Sequence, residues 1–274
     1  MTISIPDTLN VSNSEKYILS IRLRSDGLSF SVYNPQETGS LFYRECDFGR
    51  TPSFMDNLKD FFFENELLSY SFKKTYILCE SAPYTIVPEK IIEEGKAKEF
   101  LNFTSSRPSS RTLTNTLQNT PAAIVFGIEE EIYEFCCRSL LTPSFIHSLT
   151  PLLSYWRKIS LENSRKQLFT HIHGKQLDIA CFEKGSLVFI NTFQFEHVND
   201  ILYYILYVWR QLELDQQNDP LHISGKADLR IRITETLHTY IRYVMATNMP
   251  SEVYLWGAEA IQAPLDLLTL LICE

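Results

Sequence analysis

Glycine is scarce in this chain of 274 residues, with 9 Gly against 14 Tyr and 18 Phe, which excludes collagen-like, fibrous and Gly-rich linker classes. Positive charge is also short: 25 Lys and Arg face 33 Asp and Glu, a formal net charge of −8. Such a balance repels phosphate backbones and anionic lipid, so nucleic acid is not expected as a partner. The one basic, Ser-rich neighbourhood, with Lys96, Lys98, Arg107 and Arg111, has no aromatics interleaved at a regular spacing and reads as a surface loop. Long apolar runs are missing. The most apolar stretch, 201–209, falls well short of the ~20 residues that cross a bilayer and is followed by Arg210 and Glu213, so no transmembrane segment is expected. Residues 1–20 have no basic region followed by an apolar one and a small-residue cleavage site, which leads to the expectation of a cytoplasmic protein. The six cysteines (Cys46, Cys79, Cys136, Cys137, Cys181, Cys273) are scattered and are expected to be free thiols, mostly buried. Ser/His/Asp groupings, Cys-x-x-Cys pairs and Walker-type loops are lacking as well, which leaves hydrolase, redox and P-loop readings without support.

What is present is ample core-forming material. Hydrophobic residues make up 45% of the chain and aromatics 13%, which excludes disorder. At roughly 150 residues per domain the length allows one large domain or two modest ones.

Alternation over 17–23, 28–33 and 41–48, broken by Asp26-Gly27 and by a turn over 34–39, predicts a three-stranded meander. Phe54, Leu58, Phe61 and Phe62 fall at helical spacing and predict a helix over 53–68, with Pro52 at its start. A strand over 75–79 and a helix over 89–101 follow. The Ser, Thr, Asn and Arg-rich stretch 104–120 reads as a loop entering a hairpin, ahead of an apolar run at 122–126. A helix over 129–141, a strand over 145–149 and a helix over 151–161 complete the half. The second half then starts over, with strands over 167–173, 176–182 and 186–195, turns at Gly174-Lys175 and 183–185, and a long helix over 196–212. Leu28, Phe30 and Val32 fall on Leu177, Ile179 and Cys181, and residues 39–43 fall on 185–189, which indicates an internal duplication. A strand over 220–225 runs into Gly225, a strand-to-helix turn whose free N–H groups suit an anion. A helix over 227–244, a closing strand over 253–256 and an apolar helix over 264–273 end the chain.

Two repeats of a meander plus helices, each opened by a glycine-turned hairpin, resemble the actin-like ATPase superfold. The second half is most similar to its cell-division and pilus-assembly branch, the FtsA and PilM proteins. From Tyr17 to Glu274 the chain is identified as a member of a bacterial family of unknown function with this fold. The resemblance implies an α/β architecture of duplicated actin-like (ribonuclease H-like) lobes. Each would hold a mixed five-stranded sheet that opens with the meander and is flanked by helices, over 1–150 and 151–274.

In that superfold each hairpin is similar to Asp-Ile-Gly-Gly-Gly-Thr-Thr-Asp-Ile, whose first Asp serves magnesium and the attacking water. Here the second hairpin runs from His171 to Ile179: Gly174, Asp178 and Ile179 match, while His171 and His173 replace the first Asp and the first Gly. The first hairpin, 22–30, carries Arg22 at the Asp position. A guanidinium repels a divalent cation, so the resemblance implies that magnesium-assisted turnover is lost. The adenosine motif corresponds to 222–229, where Ser224, Gly225 and Ala227 match and Lys226 adds bulk in place of a glycine. The run Met249-Pro-Ser-Glu-Val-Tyr254 resembles the segment that closes the fold in the same branch.

The expectation is therefore a non-hydrolysing binding or scaffold module with a degenerate nucleotide or anion cleft. Its residues would be Arg22, Arg24, Asp26 and Gly27 from the first hairpin, His171, His173, Gly174, Lys175 and Asp178 from the second, and Ser224, Gly225 and Lys226 from the adenosine motif. No catalytic or metal-binding residue is assigned. His171 and His173 share one strand face, a placement open to hydrogen-bonded structural groups, anion contacts or a metal-binding pair. The alternative is an ATPase or small-molecule phosphotransferase in which Asp26 or Asp178 takes the metal or base role. ATP or ADP is the ligand that the resemblance would bring, without magnesium. The partner is expected to be a protein, and polymerisation or docking to a filament-forming protein is a third reading.

Overall fold

Both halves open with the meander that their alternation predicts. In the computed structural model, which describes residues 9, 11–49, 53–80, 82–92, 96–104 and 110–272, the first meander is β1 (Ile18–Arg24), β2 (Gly27–Tyr33) and β3 (Phe42–Asp47), all antiparallel. The helix α1 (Phe54–Glu64) starts at Ser53, whose hydroxyl accepts the Asp56 N–H at 3.2 Å, and buries Met55, Leu58 and Phe61. Pro52 lies outside the described residues. The strand β4 (Lys74–Cys79) then pairs parallel to β1. A separate sheet follows, formed by β5 (Tyr84–Pro88), β6 (Arg111–Thr116) and β7 (Ala122–Ile128), with α2 (Ala97–Thr104) against it through Leu101. After α3 (Glu130–Ser139), β8 (Ser144–His147) adds parallel to β4 and leads into α4 (Leu149–Ser160).

The second half repeats this plan without the extra sheet. The meander is β9 (Lys166–His173), β10 (Gln176–Glu183) and β11 (Ser186–Gln194), followed by α5 (Val198–Gln211), β12 (Pro220–Gly225), α6 (Ala227–Leu237) and β13 (Tyr243–Ala246). The sheet orders are β3-β2-β1-β4-β8 and β11-β10-β9-β12-β13, with the same parallel and antiparallel senses. The duplication thus holds at the level of topology, and the fold is α/β with two mixed five-stranded sheets. Leu168, Ile179, Leu221 and Ile223 from this second sheet pack with Ile201, Ile205 and Trp209 of α5 and with Ile233 and Leu237 of α6.

Several expectations are corrected. The stretch 104–120 read as a loop entering a hairpin contains β6, an edge strand that pairs antiparallel with β7, with Thr114 and Thr116 exposed and Asn115 turned to the Phe145 carbonyl and the His147 N–H, while residues 105–109 lie outside the described residues. The helix expected over 89–101 is α2 preceded by a short 3-10 turn at Glu89–Ile91, and β5 comes before both. α6 ends at Leu237 rather than reaching 244. Leu237 and Ile241 keep helical spacing because the Ile241 N–H still bonds the Leu237 carbonyl, but the chain then extends into β13, where Val244 alone points inward. The closing strand expected over 253–256 is a 3-10 turn, Ser251–Leu255, held by the Val253 N–H on the Pro250 carbonyl.

The chain divides into two compact units, one running up to Pro151 together with Pro250–Ile272, the other Leu152–Met249. The C-terminal stretch expected in a lobe over 151–274 therefore belongs in part to the first unit. Its anchors are specific: the Gly39 and Leu41 N–H groups donate to the Leu255 and Trp256 carbonyls at 2.8 and 2.9 Å. Trp256 packs on Tyr33, and Glu259 accepts the Tyr43 N–H and pairs with Arg44, both at 2.8 Å. The last helix, α7 (Leu265–Ile272), buries Leu265, Leu267, Leu268, Leu270 and Leu271 in this unit.

Candidate functional site: the two hairpins

Strand register makes the hairpins equivalent. Arg24 pairs with Gly27 across one two-residue turn and His173 with Gln176 across the other, so Arg22 lies opposite Ser29 as His171 lies opposite Asp178. At Gly27 a Cβ would meet the Cys46 carbonyl oxygen at 2.2 Å, so only glycine lets β2 approach β3 there. Gly225, at φ +132°, is confined in the same way by the Ile172 carbonyl oxygen, 2.6 Å from where its Cβ would be.

In the first unit Arg22 is buried between two carboxylates. Its Nε donates to Asp266 Oδ2 at 2.6 Å and its Nη2 to Glu80 Oε1 at 2.5 Å. Burial by itself would push the guanidinium down, but Asp266 and Glu80 outweigh it and hold its pKa above the usual value. Glu80 directly follows β4, where its N–H bonds the Leu23 carbonyl, and Asp266 sits in the first turn of α7. Arg24 ion-pairs with Asp26, Glu45 and Asp47. Burial again opposes its charge, and these acids still raise its pKa. Both arginines at this hairpin thus pair with carboxylates of the same unit, five in all.

In the second unit His171, His173, Asp178 and Ser224 form one cluster. His171 and His173 stack with ring centroids 5.2 Å apart, and His171 Nδ1 lies 2.9 Å from Ser224 Oγ. Because Ser224 donates its own proton to the Thr170 carbonyl at 2.7 Å, the histidine nitrogen acts as the donor to it. His173 Nε2 lies 2.9 Å from Asp178 Oδ2, and the Thr192 hydroxyl donates to Asp178 Oδ1 at 2.6 Å. Burial would push the Asp178 carboxyl up, yet the adjacent His173, with smaller help from His171 and Thr192, holds it below the usual carboxylate range. Ser224 and Gly225 end β12 beside His171 and Ile172. Lys226 is exposed at the start of α6, where Asp228 occupies the first turn, and Lys175 pairs with Glu196 on the surface at 2.5 Å. Deeper in the sheet, His222 lies flat on Phe169 at 4.5 Å, and burial pushes its pKa down to about 4.

The structure therefore brings Arg22, Arg24, Asp26 and Gly27 together in one unit. It brings His171, His173, Gly174, Lys175, Asp178, Ser224, Gly225 and Lys226 to neighbouring turns of the other. Sequence reasoning missed Glu80, Asp266 and Thr192. The signal for Asp266 was available, since a lone carboxylate inside the apolar run Leu265–Ile272 needs a buried cation. Among the described residues no group of three or more His, Cys, Asp or Glu is placed to hold a metal, and no helix is long and apolar enough to cross a membrane. The described cysteines form no disulfide, with Cys137 exposed and the others buried. Cys273 lies outside the described residues.

The strand order has counterparts among solved structures. A protein with actin-like ATPase fold and unknown function from Bacteroides thetaiotaomicron VPI-5482 is 32% identical, with a TM-score of 0.81 over 95% of this chain and 98% of that one. The PilM–PilN type IV pilus biogenesis complex is similar at 13% identity and a TM-score of 0.51, over 92% of this chain and 98% of that one, which is a likeness of fold. No curated protein matches. Residues 6–244 match the family model described as protein of unknown function (DUF3822). By that match and by the Bacteroides relative, this chain belongs to the DUF3822 family and has an actin-like ATPase fold.

Proposed function

We propose that this protein is a binding or scaffold module that does not hydrolyse ATP. The observation that carries this reading is the buried Arg22 between Glu80 and Asp266, a cation at the hairpin position where an actin-like ATPase needs a carboxylate. A divalent ion coordinated by oxygen ligands cannot share that position with a guanidinium, and the two carboxylates that could serve it are already spent on Arg22. At the second hairpin the corresponding position is His171, and Asp178 is engaged on both oxygens by His173 and Thr192. That engagement argues against Asp178 as a displaced metal ligand or base, and Asp26 is tied to Arg24 at 3.5 Å on the surface. The five carboxylates around Arg22 and Arg24 also make the first hairpin a poor anion receptor. PilM was solved in complex with PilN, and a protein partner is proposed for this chain by analogy of fold. A reducing compartment, the cytoplasm, fits cysteines that form no disulfide among the described residues.

The test is phosphate release from ATP with magnesium, run beside a thermal-shift series of ATP, ADP and GTP with and without the metal. No phosphate release above buffer and no magnesium-dependent shift are expected, since a ligand stabilises only the state that binds it. Magnesium-dependent hydrolysis that disappears in Asp178→Asn or Asp26→Asn would overturn the reading.

A further inference from the structure

On the first unit, α1 and α3 meet along an aromatic seam that is left partly uncovered. Phe62 and Phe135 pack edge to face at 5.1 Å, and beside them opens a cavity of about 480 Å³ with Leu68 and Ser139 in its lining. At its rim Phe63 is 93% exposed, although Phe61, two positions earlier on the same helix, is buried. Leu141, just past the end of α3, is 58% exposed. An exposed aromatic ring beside a recess lined both by apolar residues (Phe62, Leu68, Phe135) and by polar ones (Lys59, Asp60, Ser69, Ser139) fits a surface that a partner covers.

Charge selects what covers it. α1 carries Asp56, Asp60 and Glu64 against Lys59, and α3 carries Glu130, Glu131 and Glu134 against Arg138, which leaves each helix at −2. Among the described residues Lys59 pairs with Glu131 at 3.0 Å and Arg111 with Glu130 at 3.1 Å, and with Arg111 included the two helices keep a net charge of −3. A second copy of this chain docked face to face would set these acidic helices against each other, and an anionic lipid surface would be repelled. We propose that the α1–α3 groove docks a basic amphipathic segment of a protein partner, a helix with a bulky apolar anchor for the recess and Lys or Arg on its flanks. In this mode the apolar face of a helix lies in a groove, and opposite charges around it set the orientation. The proposal rests on the binding-module reading and names the chemistry of its partner.

The experiment is fluorescence anisotropy of the purified full chain with three labelled 18-residue peptides. One is an amphipathic helix with Phe and Leu on one face and Lys on the other, one has Glu in place of Lys, and one has the basic composition with the apolar face scrambled. The basic amphipathic peptide is expected to bind at least tenfold more tightly than either control, and to weaken several-fold between 50 and 300 mM salt, as rim charges require (both about as sized by steering between opposite surface charges). Phe63→Asp and Glu134→Lys are each expected to reduce that binding about tenfold while leaving far-UV circular dichroism unchanged, because both side chains are exposed. Equal binding of the three peptides, no binding, or full binding by both variants overturns the proposal. So does a dimer in sedimentation velocity that Phe63→Asp dissociates. The phosphate-release assay stands apart from these readings: a chain that hydrolyses ATP yet binds the peptide refutes only the proposed lack of turnover, and one that does neither refutes only the groove.

Discussion

Arg22→Met removes the guanidinium held between Glu80 and Asp266 while keeping most of the side-chain volume. Both acids are buried, Asp266 completely, so the variant confines negative charge in an apolar environment with its cation gone. Breaking a buried pair from one side costs about 3–5 kcal/mol. At ~2–4 °C per kcal/mol for a unit of this size, the melting temperature should fall by about 6–20 °C in scanning calorimetry. The loss should be local first. Asp266 ties α7 to β1 across 244 positions of sequence, so α7 amides should exchange faster in hydrogen-exchange measurements than those of β9 to β13. The triple variant Arg22→Met, Glu80→Leu, Asp266→Leu separates charge from packing. Replacing all three charges with apolar groups should recover most of the loss, since a complete buried network is worth little more than a well-packed core. An Arg22→Met protein that melts within about 2 °C of the wild type would refute this account of the hairpin.

His222 gives a pH dependence of known sign. Its pKa is pushed by burial from 6.5 to about 4, so between those values the unfolded chain binds a proton that the folded one does not. Stability is therefore complete above about pH 6.5 and declines as the pH falls, by about 2–3 kcal/mol at pH 4.5, and His222→Gln should abolish that component in urea titrations at the two pH values. Asp178 is held low by His173 against the effect of burial, so its contribution is present above the ordinary carboxylate value and is lost as the pH falls from that value through its depressed one. Gly27→Ala and Gly225→Ala each force a Cβ against a backbone carbonyl, at 2.2 and 2.6 Å, and should each cost about 1–3 kcal/mol in the same denaturation assay. A change under about 0.5 kcal/mol at either position would show that the strands can separate without penalty.

The fold was largely legible because each meander strand has one strongly alternating face, and because Leu28, Phe30 and Val32 meet the same structural demand as Leu177, Ile179 and Cys181 in β2 and β10. The separate sheet was less legible. β6 is a polar strand, and nothing in the order Arg111–Thr116 distinguishes it from a loop until β7 supplies its hydrogen bonds. Helical spacing misled at Ile241, where a buried residue four positions after Leu237 follows a turn rather than continuing α6.

Sequence alone determined the α/β class and the duplication, which rest on periods of two and 3.6, while the placing of Arg22 and His171 at acidic positions of the hairpins is what the resemblance to the actin-like superfold implies. Only the tertiary structure decided what those replacements do. Glu80 and Asp266 lie 58 and 244 positions from Arg22, and no local pattern encodes that they meet. The same distance in sequence hid the return of Pro250–Ile272 to the first unit. The partner of its apolar helix could not be read from its own residues, because the link from Asp266 to Arg22 of β1 forms only once the chain has folded back.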